Sequence, residues 1–303
     1  PAFIRGLAAE KSLDISGIFD ENGKYKFDGF NEFLTTYENA TQALKSPEDF
    51  KRLTQSVLEN LAENNVVYAE TFISPDFCGD RDLGAWREYL AAMREAHVEG
   101  VTLRGIVTCI RHLGPEKARE AAFCAAETAG DWVVGFGMAG AENVGRAKDY
   151  SYSFDMAREA GLRLTSHAGE WCGAESVWET LRDLRVERIG HGVHSINDLK
   201  LVEHLAETGV ALEINPGSNV ALGVYPSWID HPIKRLRDAG VKVTVSTDDP
   251  PFFNTTMTRE FEELESAYGW GAEDFKVLNE TALEVAFCDL DTKEVISKRL
   301  EAL

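Results

Sequence analysis

The sequence has no Cys-x-x-Cys pair, and its five cysteines, Cys78, Cys109, Cys124, Cys172 and Cys288, are odd in number. Both facts argue against a disulfide framework and against a thiolate zinc site. A reducing, cytoplasmic compartment is the simplest expectation. No run of 18 or more apolar residues occurs, and the opening Pro1-Ala-Phe-Ile-Arg-Gly-Leu7 lacks a signal-peptide layout, so neither a membrane span nor a leader is expected. Positive charge is scarce as well. Lys and Arg number 31 against 51 Asp and Glu, a net charge of −20. Such a surface repels phosphate backbones and anionic lipid, which leaves a neutral or weakly charged small molecule as the expected partner, with nucleic acid and membrane excluded. The oligomeric state is not readable.

What is present is a change of rhythm. Residues 1–65 read as helical and irregular. Ser46-Pro47-Glu48-Asp49 is a helix start, with a capping serine, proline at the first position and acids at the positive dipole end. The helix runs on to Leu61, and Asn64-Asn65 breaks it. Beyond it, short apolar β-rich runs alternate with amphipathic helical stretches. The runs are Val66–Ile73, Val101–Ile110, Trp132–Ala139, Leu162–Ser166, Val186–Ile189, Val210–Ile214 and Val241–Ser246. Glu175–Leu184, Asp198–Glu207 and His231–Ala239 are representative connecting helices. This alternation predicts an α/β fold with a parallel sheet and helices outside it. No repeat, linker or low-complexity tract interrupts it, so residues 1–303 are expected to form one domain.

Seven strands are one short of a (β/α)8 TIM barrel. An open doubly wound sheet would tolerate seven, but no glycine-rich phosphate fingerprint follows the first strand. Unusual polar residues also stand at the C-terminal ends of several strands, where a barrel gathers its chemistry. The expected fold is therefore a TIM barrel whose first strand is missing from this chain.

Four strand ends carry the signal. They are Gly140 in Gly137-Met-Ala-Gly-Ala-Glu142, His167-Ala-Gly-Glu170, Gly190-His191-Gly192 and Thr247-Asp248-Asp249-Pro250. Each alone has a plain reading: a core histidine, a solvated acid, a turn. Together, on one barrel rim, two histidines, a glutamate and two aspartates would share a pocket. Burying that many titratable groups is costly unless a metal or substrate organises them. Imidazole and carboxylate suit Zn2+ with an open position for water, and the glycines would let a substrate approach the backbone. His97, His112 and His194 read as structural.

At these residues the sequence resembles the adenosine deaminase family of the amidohydrolase superfamily. The matching stretches are SHAGE (166–170), RIGHG (188–192), GSNV (217–220) and STDDP (246–250), in matching order and spacing. The resemblance implies His167 and Asp248 as zinc ligands and Glu170 as the acid that protonates the purine ring beside the reacting carbon. It implies that His191 helps to deprotonate and hold the attacking water. Asp249 and the Gly140 N–H would bind the purine. Residues 30–37, with Phe33 and Tyr37, would form an apolar lid, the alternative being a plain amphipathic helix packed on the barrel. The Pro-Cys-x-x-Cys element of the other zinc deaminase architecture is absent.

Two departures from the family pattern matter. The family's first strand ends in a His-x-His pair of zinc ligands, and no His-x-His occurs here. Two ligands make a poor zinc site, and a barrel lacking a strand exposes two unpaired edges, so an upstream strand is expected in the natural protein. Without one, a metal-free, catalytically silent purine-binding protein is the alternative. Second, GMAGAE lacks the acid that adenosine-specific members carry before the small residues. The expected reaction is zinc-dependent hydrolytic deamination of adenosine or a modified adenosine at C6. Adenine or another 6-aminopurine is the alternative, which RIGHG leans against because aspartate does not precede the histidine.

Overall fold

The computed structural model describes residues 1–301. All seven apolar runs form strands: β1 Tyr68–Ile73, β2 Thr102–Ile110, β3 Val133–Ala139, β4 Arg163–Ala168, β5 Arg188–His191, β6 Ala211–Ile214 and β7 Val243–Val245. They lie in sequence order in one sheet, and every pairing is parallel. The sheet curls into a seven-stranded α/β half-barrel, the TIM-barrel architecture with one strand missing. Among the described residues, the outer sides of β1 and β7 have no strand partner.

The helices are α1 Ala2–Glu10, α2 Gly29–Thr41, α3 Pro47–Glu63, α4 Leu83–Arg94, α5 Pro115–Ala126, α6 Ser151–Glu159, α7 Ala174–Leu184, α8 Leu199–Thr208, α9 Pro216–Ala221, α10 Ile233–Asp238, α11 Pro250–Phe253, α12 Met257–Tyr268, α13 Ala272–Val285 and α14 Leu290–Glu301. Among the described residues none is long and apolar enough to cross a membrane. The expected cap of α3 is present: Ser46 accepts from the Asp49 N–H while Asp49 reaches back to the Ser46 N–H, a capping box.

Several expected boundaries shift, β1 to Tyr68–Ile73, β5 to Arg188–His191 and β7 to Val243–Val245 among them, and two further shifts have a plain physical reason. β4 runs past Ser166 to Ala168, because Ser166, His167 and Ala168 pair with Ile189, Gly190 and His191 of β5. The pairing requires glycine at 190, since a Cβ there would sit 2.4 Å from His167 Cδ2. The helix expected from His231 begins only at Ile233. Pro232 holds His231 in an extended conformation (φ −66°, ψ 138°), as the ring of a following proline does.

Outward-facing strand residues meet the helices in the main core. Phe136, Leu164, Ile189 and Leu212 are fully buried, and Phe136 meets Phe154 of α6 edge to face at 5.2 Å. Ile4, Leu7, Ile18 and Tyr25 form a second cluster. Inside the barrel, below the rim, Arg188 donates to Glu70 at 2.6 Å and pairs with Glu213 at 2.5 Å. Tyr68 and the Phe287 N–H complete Glu70, at 2.7 and 2.6 Å. Thr165 completes Glu213 at 2.9 Å, and the guanidinium lies 3.5 Å over the Phe287 ring.

Candidate active site

The C-terminal strand ends bring the expected residues together. His167 is the penultimate residue of β4, Glu170 follows in the β4–α7 loop, and His191 ends β5. Ligand atoms of these three lie within 4.8 Å of one another. The imidazoles meet edge to face, with centroids 5.0 Å apart. His191 Nε2 is 3.7 Å from Glu170 Oε2 and 3.8 Å from Asp248 Oδ2. His191 and Asp248 both leave their strands at positive φ, 61° and 56°. Side chains adopt this region at a cost of about 1–3 kcal/mol, which packing elsewhere must offset. Here the turn re-aims both groups off the strand alternation and toward the rim.

The electrostatics are those of a site awaiting a ligand. Desolvation drives Glu170 well above the ordinary carboxylate range, with Asp248 next in effect. Desolvation and then Asp248 raise Asp249 in the same way. Desolvation, then His191, pulls His167 down to about 4, and burial brings His191 to about 4. Among the described residues no Lys or Arg pairs with any of these acids. Among the described residues, the one basic side chain within 4 Å of Glu170 and of Asp248 is His191 itself.

Two neutral imidazoles facing carboxylates are a donor set that suits a divalent transition metal such as zinc. The compact trio includes Glu170, which the family resemblance reads as an acid and not a ligand. Asp248 stands at its edge, where Ser218 donates to it at 2.7 Å.

Gly140, the residue after β3, has φ +99° and lies against His112; a Cβ there would come 2.8 Å from His112 Nδ1. His112 accepts from the Ala141 N–H at 3.2 Å. It is structural, as expected, yet it stands beside the rim. His194 lies behind the site, where its Nδ1 is 3.2 Å from the Gly169 carbonyl. The glycine expectation also needs amending, because Gly190 makes room for the His167 ring and not for a substrate.

Over this rim lies α2. Phe33 contacts Phe252 and Phe253 of α11, with centroids 5.5 and 5.2 Å apart, and Tyr37 contacts Phe252 at 5.4 Å. Phe30 meets Trp171 of the β4–α7 loop at 5.3 Å. α11 begins at Pro250, directly after Asp249, so α2 packs on the element that carries one candidate purine-binding residue.

Sequence reasoning missed several groups. Glu142, buried in the loop after β3, accepts from the N–H groups of Gly169, Glu170, Trp171 and Cys172 and from the Ser176 hydroxyl. Burial raises its pKa, but these donors outweigh it and hold the carboxyl below its ordinary range. It grips the segment that aims Glu170. Asn219 and His231 back His191: Asn219 Nδ2 is 3.1 Å from His191 Nδ1, and Asn219 Oδ1 is 3.1 Å from His231 Nε2. The signal for Asn219 and Ser218 was the GSNV stretch, whose side chains had been given no role. For Glu142 it was the end of GMAGAE.

Comparison with known proteins agrees with this geometry. The family model described as adenosine deaminase matches residues 14–303. A curated adenine deaminase of Agrobacterium fabrum is 46% identical, covering 99% of this chain and 93% of the relative. The crystal structure of adenine deaminase from Arthrobacter aurescens superposes with a TM-score of 0.89 at 27% identity, covering 100% of this chain and 94% of that one. An amidohydrolase from Burkholderia ambifaria, solved with bound Zn, shares the fold at TM-score 0.85 and 23% identity over 99% of this chain and 85% of its own. The chain belongs to the adenosine deaminase family and is a hydrolase that deaminates cyclic amidines at a C–N bond.

Proposed function

We propose that this protein hydrolyses the 6-amino group of a purine, with adenine as the substrate. The observation that carries the deaminase chemistry is the convergence of His167, Glu170, His191, Asp248 and Asp249 on one rim without a cationic partner. The base in place of the nucleoside is favoured by the 46% identical relative that bears the name adenine deaminase. It runs against the lean that RIGHG suggested. An apolar roof of Phe30, Phe33 and Tyr37 suits a flat heterocycle in either case.

His167 and Asp248 would hold a zinc ion. When bound it would supply Lewis acidity and lower the pKa of a coordinated water. The rest falls to side chains. Burial holds the Glu170 carboxyl well above its ordinary range, which favours the protonated acid, and it can give its proton to the ring nitrogen beside C6 as the water oxygen bonds to that carbon. Of the water's two protons one passes to the amino group, which leaves as ammonia as the C6–N bond breaks, and one returns to Glu170, so that a carbonyl remains. Asp249, which burial also pushes toward its protonated form, can donate to the five-membered ring, and the Gly140 N–H can meet a further ring nitrogen. α2 would exclude water above them. We read residues 1–303 as one domain whose first 65 residues supply that cover, working in the reducing cytoplasm, where five free cysteines are at home.

The test is ultraviolet absorbance on adenine and adenosine side by side, with zinc supplied. Faster turnover of adenine is expected. Faster turnover of adenosine would overturn the base assignment, and turnover of neither with zinc demonstrably bound would overturn both substrates.

A further inference from the structure

Behind His191 runs a chain of hydrogen bonds whose direction is set by a backbone group. Ile233 opens α10, so its N–H has no partner within the helix. It donates to His231 Nδ1 at 3.2 Å. A backbone N–H can only donate, so His231 Nδ1 carries a lone pair and Nε2 of the neutral ring carries the proton. That Nε2 lies 3.1 Å from Asn219 Oδ1, which accepts from it. The orientation of the Asn219 amide is thereby fixed, and its Nδ2 faces His191 Nδ1 at 3.1 Å as a donor.

We infer that Ile233, His231 and Asn219 together hold His191 as the Nε2–H tautomer, with its proton aimed into the site. An imidazolium is excluded by the same geometry, since Nδ1 must offer a lone pair to the Asn219 amide. Asn215 does not compete. Its Nδ2 is 3.4 Å from both ring nitrogens, longer than the 3.1 Å of Asn219 and favouring neither, and it donates to the Glu213 carbonyl at 3.3 Å. All three side chains are buried, His231 at 2%, Asn219 at 0% and His191 at 1% exposure, so water does not rewrite the network. Asn219 and His231 are positioning residues.

The consequence concerns the role of His191. A ring with Nδ1 filled by a donor and Nε2 already protonated has no free lone pair for a proton. It therefore serves the reacting oxygen as a hydrogen-bond donor and not as the base. The tautomer stands on the hydrogen bonds alone; the role at the reacting oxygen rests on the deaminase reading.

Nitrogen-15 spectra of protein labelled at the histidine rings test this without any turnover. The His191 resonances are assigned by their loss in His191→Gln. At neutral pH the proton is expected on Nε2 with Nδ1 bare, and the same for His231. In Asn219→Asp the carboxylate must accept from His191 Nδ1, so a proton is expected to appear there. A wild-type His191 protonated at Nδ1 would overturn the inference, as would an unchanged His191 ring in a folded Asn219→Asp variant. Should that variant fail to fold, the wild-type spectrum still decides. A failed assay with adenine would leave these spectra intact, so the two readings fail separately.

Discussion

The barrel interior holds buried charge at two levels, and the two levels are treated in opposite ways. At the floor, Arg188 stands between Glu70 and Glu213, and the remaining carboxylate oxygens are filled by Tyr68, Thr165 and the Phe287 N–H. Burial pushes Glu70 up, but Arg188 and the hydrogen bonds outweigh it and hold Glu70 below the ordinary range. At the rim, in the loops after β4 and β7, Glu170 and Asp249 have no Lys or Arg partner among the described residues, and desolvation leaves both well above that range. The floor pairs its opposite charges within the chain. The rim becomes complete only when something binds, which is what separates a structural charge cluster from a site.

The sharpest way to probe that contrast is Glu170→Gln. Loss of the proton donor is expected to lower kcat by roughly 10²–10⁴-fold, while binding of the purine stays close to wild type. In the absence of metal the same change should not lower the melting temperature, because it removes a desolvated acid. Unchanged turnover would remove Glu170 from the mechanism. The floor should behave the other way. Arg188→Met leaves two carboxylates inside the barrel without their cation and is expected to cost about 3–5 kcal/mol of stability by urea unfolding. A loss at the floor no larger than that at the rim would erase the distinction between the two levels.

Much of this was legible beforehand, for reasons that can be named. The strands were visible because apolar β-rich runs alternated with amphipathic helices, a local pattern. The rim residues were visible because a strand ending in His-Ala-Gly-Glu or Thr-Asp-Asp-Pro breaks the apolar run at a definable point. Boundaries shifted where a distant partner decided them: β4 reached Ala168 only because Gly190 of the neighbouring strand leaves room for the His167 ring. The supporting groups were hidden for the same reason. Glu142 grips a loop 27 to 34 residues away, and the Arg188–Glu70 pair joins residues 118 apart. Nothing in either neighbourhood marks those carboxylates as other than ordinary acids. The backing of His191 by His231 passes through a proline-delayed helix start, which periodicity alone placed two residues early.

A third buried acid tests the contrast at its smallest scale. Glu260 of α12 is fully buried, accepts from the Gly217 N–H at 3.0 Å and from Thr255 at 2.6 Å, and among the described residues forms no ion pair, Arg259 acting on it only at a distance. Burial outweighs these two donors and raises it to about 7, from an ordinary 4.5. Between those values the folded protein keeps a proton that the unfolded chain has released. Stability should therefore fall as pH rises from about 4.5 to about 7, by at most about 3 kcal/mol. Glu70 has the opposite sign, and its contribution is lost as pH falls through its depressed folded value. Glu260→Gln keeps one acceptor and one donor in place and removes the titration, so it should flatten the slope between pH 5 and 7 in urea midpoints. An unchanged slope would mean that its two hydrogen bonds hold Glu260 ionised across that range. It would then belong with the satisfied charges of the floor, and the absence of a cation would not by itself mark the rim.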